Sequence, residues 1–342
     1  MRTILEAQIW PQAGAGDITA LNAGLAASSK AKGTFIERAL FYDRIAIPTT
    51  DFGILQILIH WLTLKGFRAA IDAGTLKFLR YGQLLAYVGN GGGILQAQLD
   101  PGPNQWPWQK QALHGTFDEA IELQIRHSPL VPDWERDTLL RAVAQVSNPI
   151  EINDDYFKTS ISEETYKDIL ADPALLAILR RLYPGQKISL PKMPGVAPNQ
   201  VRILSDHADA MNDGPLLALL VALLNVQILM SSSMENCDFS TYRHATSILR
   251  RKLERSGVLQ VARLSPIKSV NIPGIPDIGG AVQEGRLDFS DCWKLSQSKN
   301  ARRFREWLSL QAPSDTKDFQ AAYLEMLRDE PAIAKAKPKL MR

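Results

Sequence analysis

Apolar residues along the chain gather into runs whose length and spacing predict the elements. Over residues 40–47, Phe41, Ile45 and Ile47 recur at period two with Asp43 interrupting, and Pro48 closes the run, which predicts an inner strand. Thr49, Thr50 and Asp51 then offer N-cap oxygens to a helix over residues 52–65 that is apolar all round, with Gly66 as its stop. A short helix over 67–73 ends at Gly74. Residues 76–80 and 84–88, joined at Tyr81-Gly82, predict a β-hairpin, and residues 94–99 a further strand beyond the Gly89-Asn90-Gly91-Gly92-Gly93 loop. With a strand near residues 3–9, these elements predict a small mixed sheet.

After the Pro101-Gly102-Pro103 breaker the pattern turns mainly helical, with helices expected over 117–125, 134–146, 162–170 and 174–182. Pro191, Pro194 and Pro198 mark a surface loop or internal boundary, and residues 201–204 form a short strand that delivers Asp206 to an edge. The longest apolar run, residues 215–230, follows. It is opened by Asp213-Gly214-Pro215, closed by Ser231-Ser232-Ser233, and interrupted by Asn225 and Gln227. A membrane span needs about 20 predominantly apolar residues, so this shorter run predicts a central helix buried in protein. A helix over 239–255 carries Arg250, Arg251, Lys252 and Arg255 in its last turns, where cations suit the negative end of the helix dipole. The Pro- and Gly-rich stretch 266–280 leads to C-terminal helices over 288–296, 300–310 and 314–328.

The predicted class is therefore α+β: an N-terminal small mixed sheet with hairpins, then a mainly helical region around a buried central helix. The expected units are an α+β domain over 1–112, a mainly helical core over 113–264, a helical region over 265–330 and a basic tail over 331–342. Composition supports folded cores, with 342 residues of which 45% are hydrophobic. A net charge of +3, from 39 basic and 36 acidic residues, sets up no global field, so any polyanion must be met by a local patch. Only two cysteines, Cys237 and Cys292, and the lack of a recognisable leader pattern point to a reducing, cytoplasmic compartment.

Three groups of residues could carry chemistry or contacts. Asp206, His207 and Asp209 combine two carboxylates and an imidazole within four residues, a donor set for a divalent metal or a base with its orienting acid. The simpler reading makes them a polar loop that caps the following helices. The Gly89 to Gly93 loop could approach a phosphate, with Arg80 and Asn90 as neighbours, but it opens a strand and lacks a phosphate-loop ending, so a wide hairpin turn is the better reading. Late in the chain Arg302, Arg303 and Arg305 lie among aromatics. There Phe304, Trp307 and Leu308, at helical spacing, form a buried stripe and leave the arginines as a solvated face able to meet nucleic acid or another anion. Arg250 and Arg251 extend that patch if the two helices are neighbours. Cys237 and Cys292 read as ordinary small core residues.

Two blocks, Phe41-Tyr42-Asp43-Arg44-Ile45-Ala46-Ile47-Pro48 and Asp288-Phe289-Ser290-Asp291-Cys292-Trp293-Lys294-Leu295 with Ala301-Arg302-Arg303-Phe304-Arg305-Glu306-Trp307-Leu308, resemble a class of uncharacterised bacterial proteins, some encoded among mobile or phage-defence genes. The resemblance implies a bacterial cytoplasmic protein and assigns no functional residue. The functional expectation is a non-catalytic interaction or regulatory component, one that serves in anti-phage defence, with a protein partner, or nucleic acid through the basic helices. The alternatives are a metal-dependent hydrolase or nuclease built on Asp206, His207 and Asp209, with a divalent metal as its cofactor, and a membrane-active effector using residues 215–230.

Overall fold

The computed structural model describes residues 1–6, 18–26, 28–49, 52–81, 86–90, 94–98, 117–150, 171, 173, 176–177, 180, 196–197, 200–204, 237–240, 275–310, 316–330 and 333. Its framework is a five-stranded sheet built from β1 (Thr3–Glu6), β2 (Arg44–Thr49), β3 (Leu76–Tyr81), β6 (Ser147–Ile150) and β9 (Asp238–Ser240), in the order β6-β3-β2-β1-β9. Every neighbouring pair is parallel. Parallel neighbours cannot be joined by tight turns, so helices make the crossovers. Between β1 and β2 these are α1 (Ile18–Ala26) and α2 (Ser29–Phe41), and between β2 and β3 the crossover is α3 (Ile54–Asp72).

Two expectations are corrected at this point. The sheet is parallel rather than mixed, and β3 is not half of a hairpin, since β2 and β6 occupy both its edges. The physical reason lies in the side chains: Leu76, Phe78 and Leu79 are all buried, as are Ile45, Ala46 and Ile47 in β2. Strands covered on both faces read as apolar runs and suit the interior of a parallel sheet. The β2 strand also runs past Pro48 to Thr49, which is tolerated where the described pairing with β1 has stopped at Ala46. The hairpin lies further on. There β4 (Ala86–Asn90) pairs antiparallel with β5 (Ile94–Gln98) across Gly91-Gly92-Gly93, in a second, four-stranded sheet of order β4-β5-β8-β7 with β7 (Val196–Ala197) and β8 (Gln200–Leu204). The expected strand over 201–204 is thus an internal strand of that sheet.

Helix α3 shows how local chemistry sets boundaries. Its expected stop at Gly66 lies instead at Thr63, whose φ of 61° and ψ of 161° interrupt the helix. The Thr63 hydroxyl then accepts from the Gly66 amide at 3.3 Å, an N-cap bond that starts the second segment. Gly74 ends it as expected. With φ of +67° it donates to Ile71 O while Thr75 N donates to Ala70 O, the paired bonds of a left-handed helix terminus. Among the described residues α3 is the helix long and apolar enough to cross a membrane, and 61% of that stretch is buried inside the fold.

Helices α4 (Phe117–Arg126) and α5 (Asp133–Gln145) precede β6, near the boundaries expected for them. A buried polar link joins them to α3. Gln56 Nε2 donates to Gln124 O and Ser128 Oγ donates to Gln56 Oε1, both at 2.6 Å. The C-terminal elements α6 (Ile278–Gln283), α7 (Phe289–Ser296), α8 (Lys299–Leu310) and α9 (Thr316–Met326) follow. Helices α6, α7 and α8 pack on α2, and one core runs from Ile4 through Phe35, Trp61 and Phe78 to Trp293, Phe304 and Ile333. The sheet draws strands from residues 3 to 240. Asp238–Ser240 is a strand, which corrects the expected helix start at Phe239. The expected helix over 215–230 lies outside the described residues, as does the body of the helix over 239–255.

Candidate functional site

At the amino end of the parallel sheet a chain of alternating charges links four segments. Arg2 reaches Asp238 at 3.1 Å, and its backbone amide donates to Asp43 Oδ2 at 2.9 Å. The other oxygen of Asp43 accepts from Arg305 Nε at 2.9 Å. The guanidinium of Arg2 also stands over the ring of Tyr42, 4.8 Å from its centroid. Burial, and secondarily the Asp238 carboxylate, push the Tyr42 hydroxyl up to about 12. It stays protonated at any physiological pH.

Arg305 decides how α8 is held. Its Nη1 donates to Ala39 O at 3.0 Å and to Ser296 O at 2.8 Å. Ala39 lies in the last turn of α2 and Ser296 is the last residue of α7, so one guanidinium closes carbonyls at the negative ends of two helices while pairing with a carboxylate. Expected as part of a solvated face, Arg305 is instead 7% exposed, with its charge spent inside the fold. That corrects its assignment as an anion contact.

The aromatic stripe is where periodicity put it. Phe304 is buried, and Trp307 and Leu308 pack against the core. Phe304 meets Phe41, Trp307, Phe319 and Tyr323, with centroids 5.6 to 6.2 Å away. Helix α8 is therefore fixed from beneath by an ion pair and an aromatic cluster. Above, Lys299, Arg302 and Arg303 are exposed at spacing i, i+3 and i+4 on one helical face, with Glu306 a turn further on.

Lys299 and Arg302 are badly placed for the helix itself, in a first turn with no acidic residue, where the dipole disfavours positive charge by about 0.3–1 kcal/mol each. Asp133 and Glu135 in α5, Asp291 in α7 and Asp318 in α9 put acid at those helix starts, whereas α1, α2, α3 and α6 share with α8 a first turn without it. Ser298 supplies the cap, accepting from the Ala301 amide at 3.1 Å. Among the described residues Lys299, Arg302 and Arg303 hold no carboxylate, whereas Arg68, Arg126, Arg286, Lys294 and Arg328 each do.

The remaining candidates stand apart from this face. Asp206, His207, Asp209, Arg250 and Arg251 lie outside the described residues, and among the described residues no group of three or more His, Cys, Asp or Glu side chains could hold a metal ion. Gly89 and Asn90 end β4 and the chain re-enters as β5, so the glycine loop joins two strands and opens no helix. Arg80 belongs to β3 of the other sheet. Cys292 is buried and its thiol is pushed up to about 12 by that burial and by Asp291 and Asp288, which suits a core residue. Lys299, which the sequence also groups with the cations of α8, shares their face through the i, i+3, i+4 spacing with Arg302 and Arg303. No family model matches the chain, and neither a curated protein nor a solved structure matches it.

Proposed function

We propose that this chain is a non-catalytic interaction component of a bacterial cytoplasmic system, one that serves in defence against phage, and that it meets its partner through the exposed face of α8. The supporting observation is the contrast within one helix. Arg305 is consumed in the fold, while Lys299, Arg302 and Arg303 are presented to solvent at a cost to the helix and with no carboxylate of their own among the described residues. Charge kept where folding does not use it is an electrostatic footprint for a partner. The bacterial and defence setting comes from the resemblance of the Phe41 and Asp288 blocks.

A photocrosslinking residue placed at Glu306 in cells tests the reading. Crosslinks that form there, and are lost when Arg302 and Arg303 are replaced by glutamate, are expected. An unchanged crosslinking pattern in that variant, or crosslinks equally abundant from a distant exposed site such as Asp72, would refute it.

A further inference from the structure

We infer that the occupant of the α8 face is the phosphate backbone of a nucleic acid, bound without reading its sequence; this rests on the reading of α8 as the contact surface. Lys299, Arg302 and Arg303 are exposed along one helical face, and neutralising phosphates requires only such cations at the surface. A specific protein partner requires more, namely a desolvated aromatic or aliphatic anchor at the centre of the contact. Among the described residues the α8 face shows no exposed aromatic, and its exposed aliphatic side chain, Leu310, stands alone at the helix end. Trp307 and Leu308 are turned to the core, with Trp307 stacked on Phe304 at 6.2 Å. Leu310, 84% exposed, sits about two turns from the arginines at the far end of the helix, beyond Glu306.

The nearby acid is only partly paired: Asp329, which accepts from Asn300 Nδ2 at 2.8 Å, and Glu325 share the one guanidinium of Arg328, and Glu306 lies a turn beyond the arginines on the same face. The Asn300–Asp329 bond ties the first turn of α8 to the segment that follows α9.

The test is a fluorescence-anisotropy titration of the full chain against a labelled DNA duplex of about 20 base pairs at ~50 mM salt. Expected are a Kd on the order of 10 µM, equal for two unrelated sequences, and a slope of log affinity against log salt of about −2 to −3. The triple variant Lys299→Glu, Arg302→Glu, Arg303→Glu is expected to bind at least about tenfold more weakly with a flatter slope, and Arg302→Lys with Arg303→Lys to keep the binding. No binding by the natural chain, or equal binding by the triple variant, would overturn the inference. Labelled polyglutamate separates the two levels. If it binds the natural chain but not the triple variant while duplex binds neither, nucleic acid is wrong and α8 remains the contact face. If the triple variant alters neither titration, both fail.

Discussion

Arg305 illustrates how one side chain can do several structural jobs at once. It bonds Asp43 and closes carbonyls of α2 and α7 from a position in α8, so removing it strands a carboxylate and two carbonyls together. Replacement by methionine, which keeps much of the stem, is expected to cost about 3 kcal/mol, somewhat less than a fully buried pair because the Asp43 side chain is 27% exposed. Equilibrium unfolding in urea measures this, and a loss under about 1 kcal/mol would contradict the role assigned to it. The position was partly legible in the sequence. Ala301, Arg305 and Leu308 share helical spacing, which puts Arg305 beside the buried stripe, but its partner Asp43 is 262 residues away and no local pattern reveals it. At the start of α7, Asp288 accepts from the amides of Ser290 and Asp291 at 2.7 and 3.3 Å. A hydrogen bond from the Ser290 side chain, and then those from the Ser290 and Asp291 amides, hold its carboxyl below the ordinary 3.8. The sign is that of a depressed acid: the stabilisation is complete above the ordinary value and is lost as pH falls through the lowered one. Asp288→Ala is expected to cost about 0.5–2 kcal/mol at neutral pH, with the gap to the natural chain closing as unfolding is followed into acid. A gap that widens there would refute the cap.

At the scale of elements, the contact between α2 and α6 depends on two glycines with unequal tolerance. A Cβ on Gly33 would stand 2.3 Å from the backbone oxygen of Gly279, whereas one on Gly279 would meet the flexible end of Glu37. Alanine normally favours a helix by roughly 1 kcal/mol over glycine, yet Gly33→Ala must force two backbones apart and is expected to destabilise by about 1–3 kcal/mol. Gly279→Ala is expected to cost less. Thermal unfolding of the two variants decides it, and a Gly33→Ala midpoint at or above the natural one would show that the close approach is absent. Elements whose signals are local were legible here: the buried helix after β2 and the Gly74 stop. Strand partnership was not. The run at residues 76–80 is compatible with a hairpin until Ser147–Ile150 is known to take its free edge, and β9 is only three residues long, too short for periodicity to separate from the start of a helix.

For the whole molecule, the parallel sheet and the helices packed on α2 make a single support, and its consequence for function is rigidity beneath α8. Residues far apart in sequence, from Ile4 to Ile333, share one core, so the basic face is presented by a fixed helix rather than by a loose tail. The face itself was half legible: the spacing of Phe304, Trp307 and Leu308 placed Arg302 and Arg303 outward, while the same reasoning miscounted Arg305. The polar cluster Asp206-His207-Asp209 and the run over 215–230 lie outside the described residues. The central claim is that the cations of α8 serve a partner and not the fold, and the two roles predict opposite outcomes for the same change. Arg302→Glu with Arg303→Glu should leave the unfolding midpoint unchanged or raise stability by about 0.3–1 kcal/mol through the helix dipole, while abolishing polyanion binding measured on the same sample. A variant that unfolds more easily and binds as well as the natural chain would contradict the account.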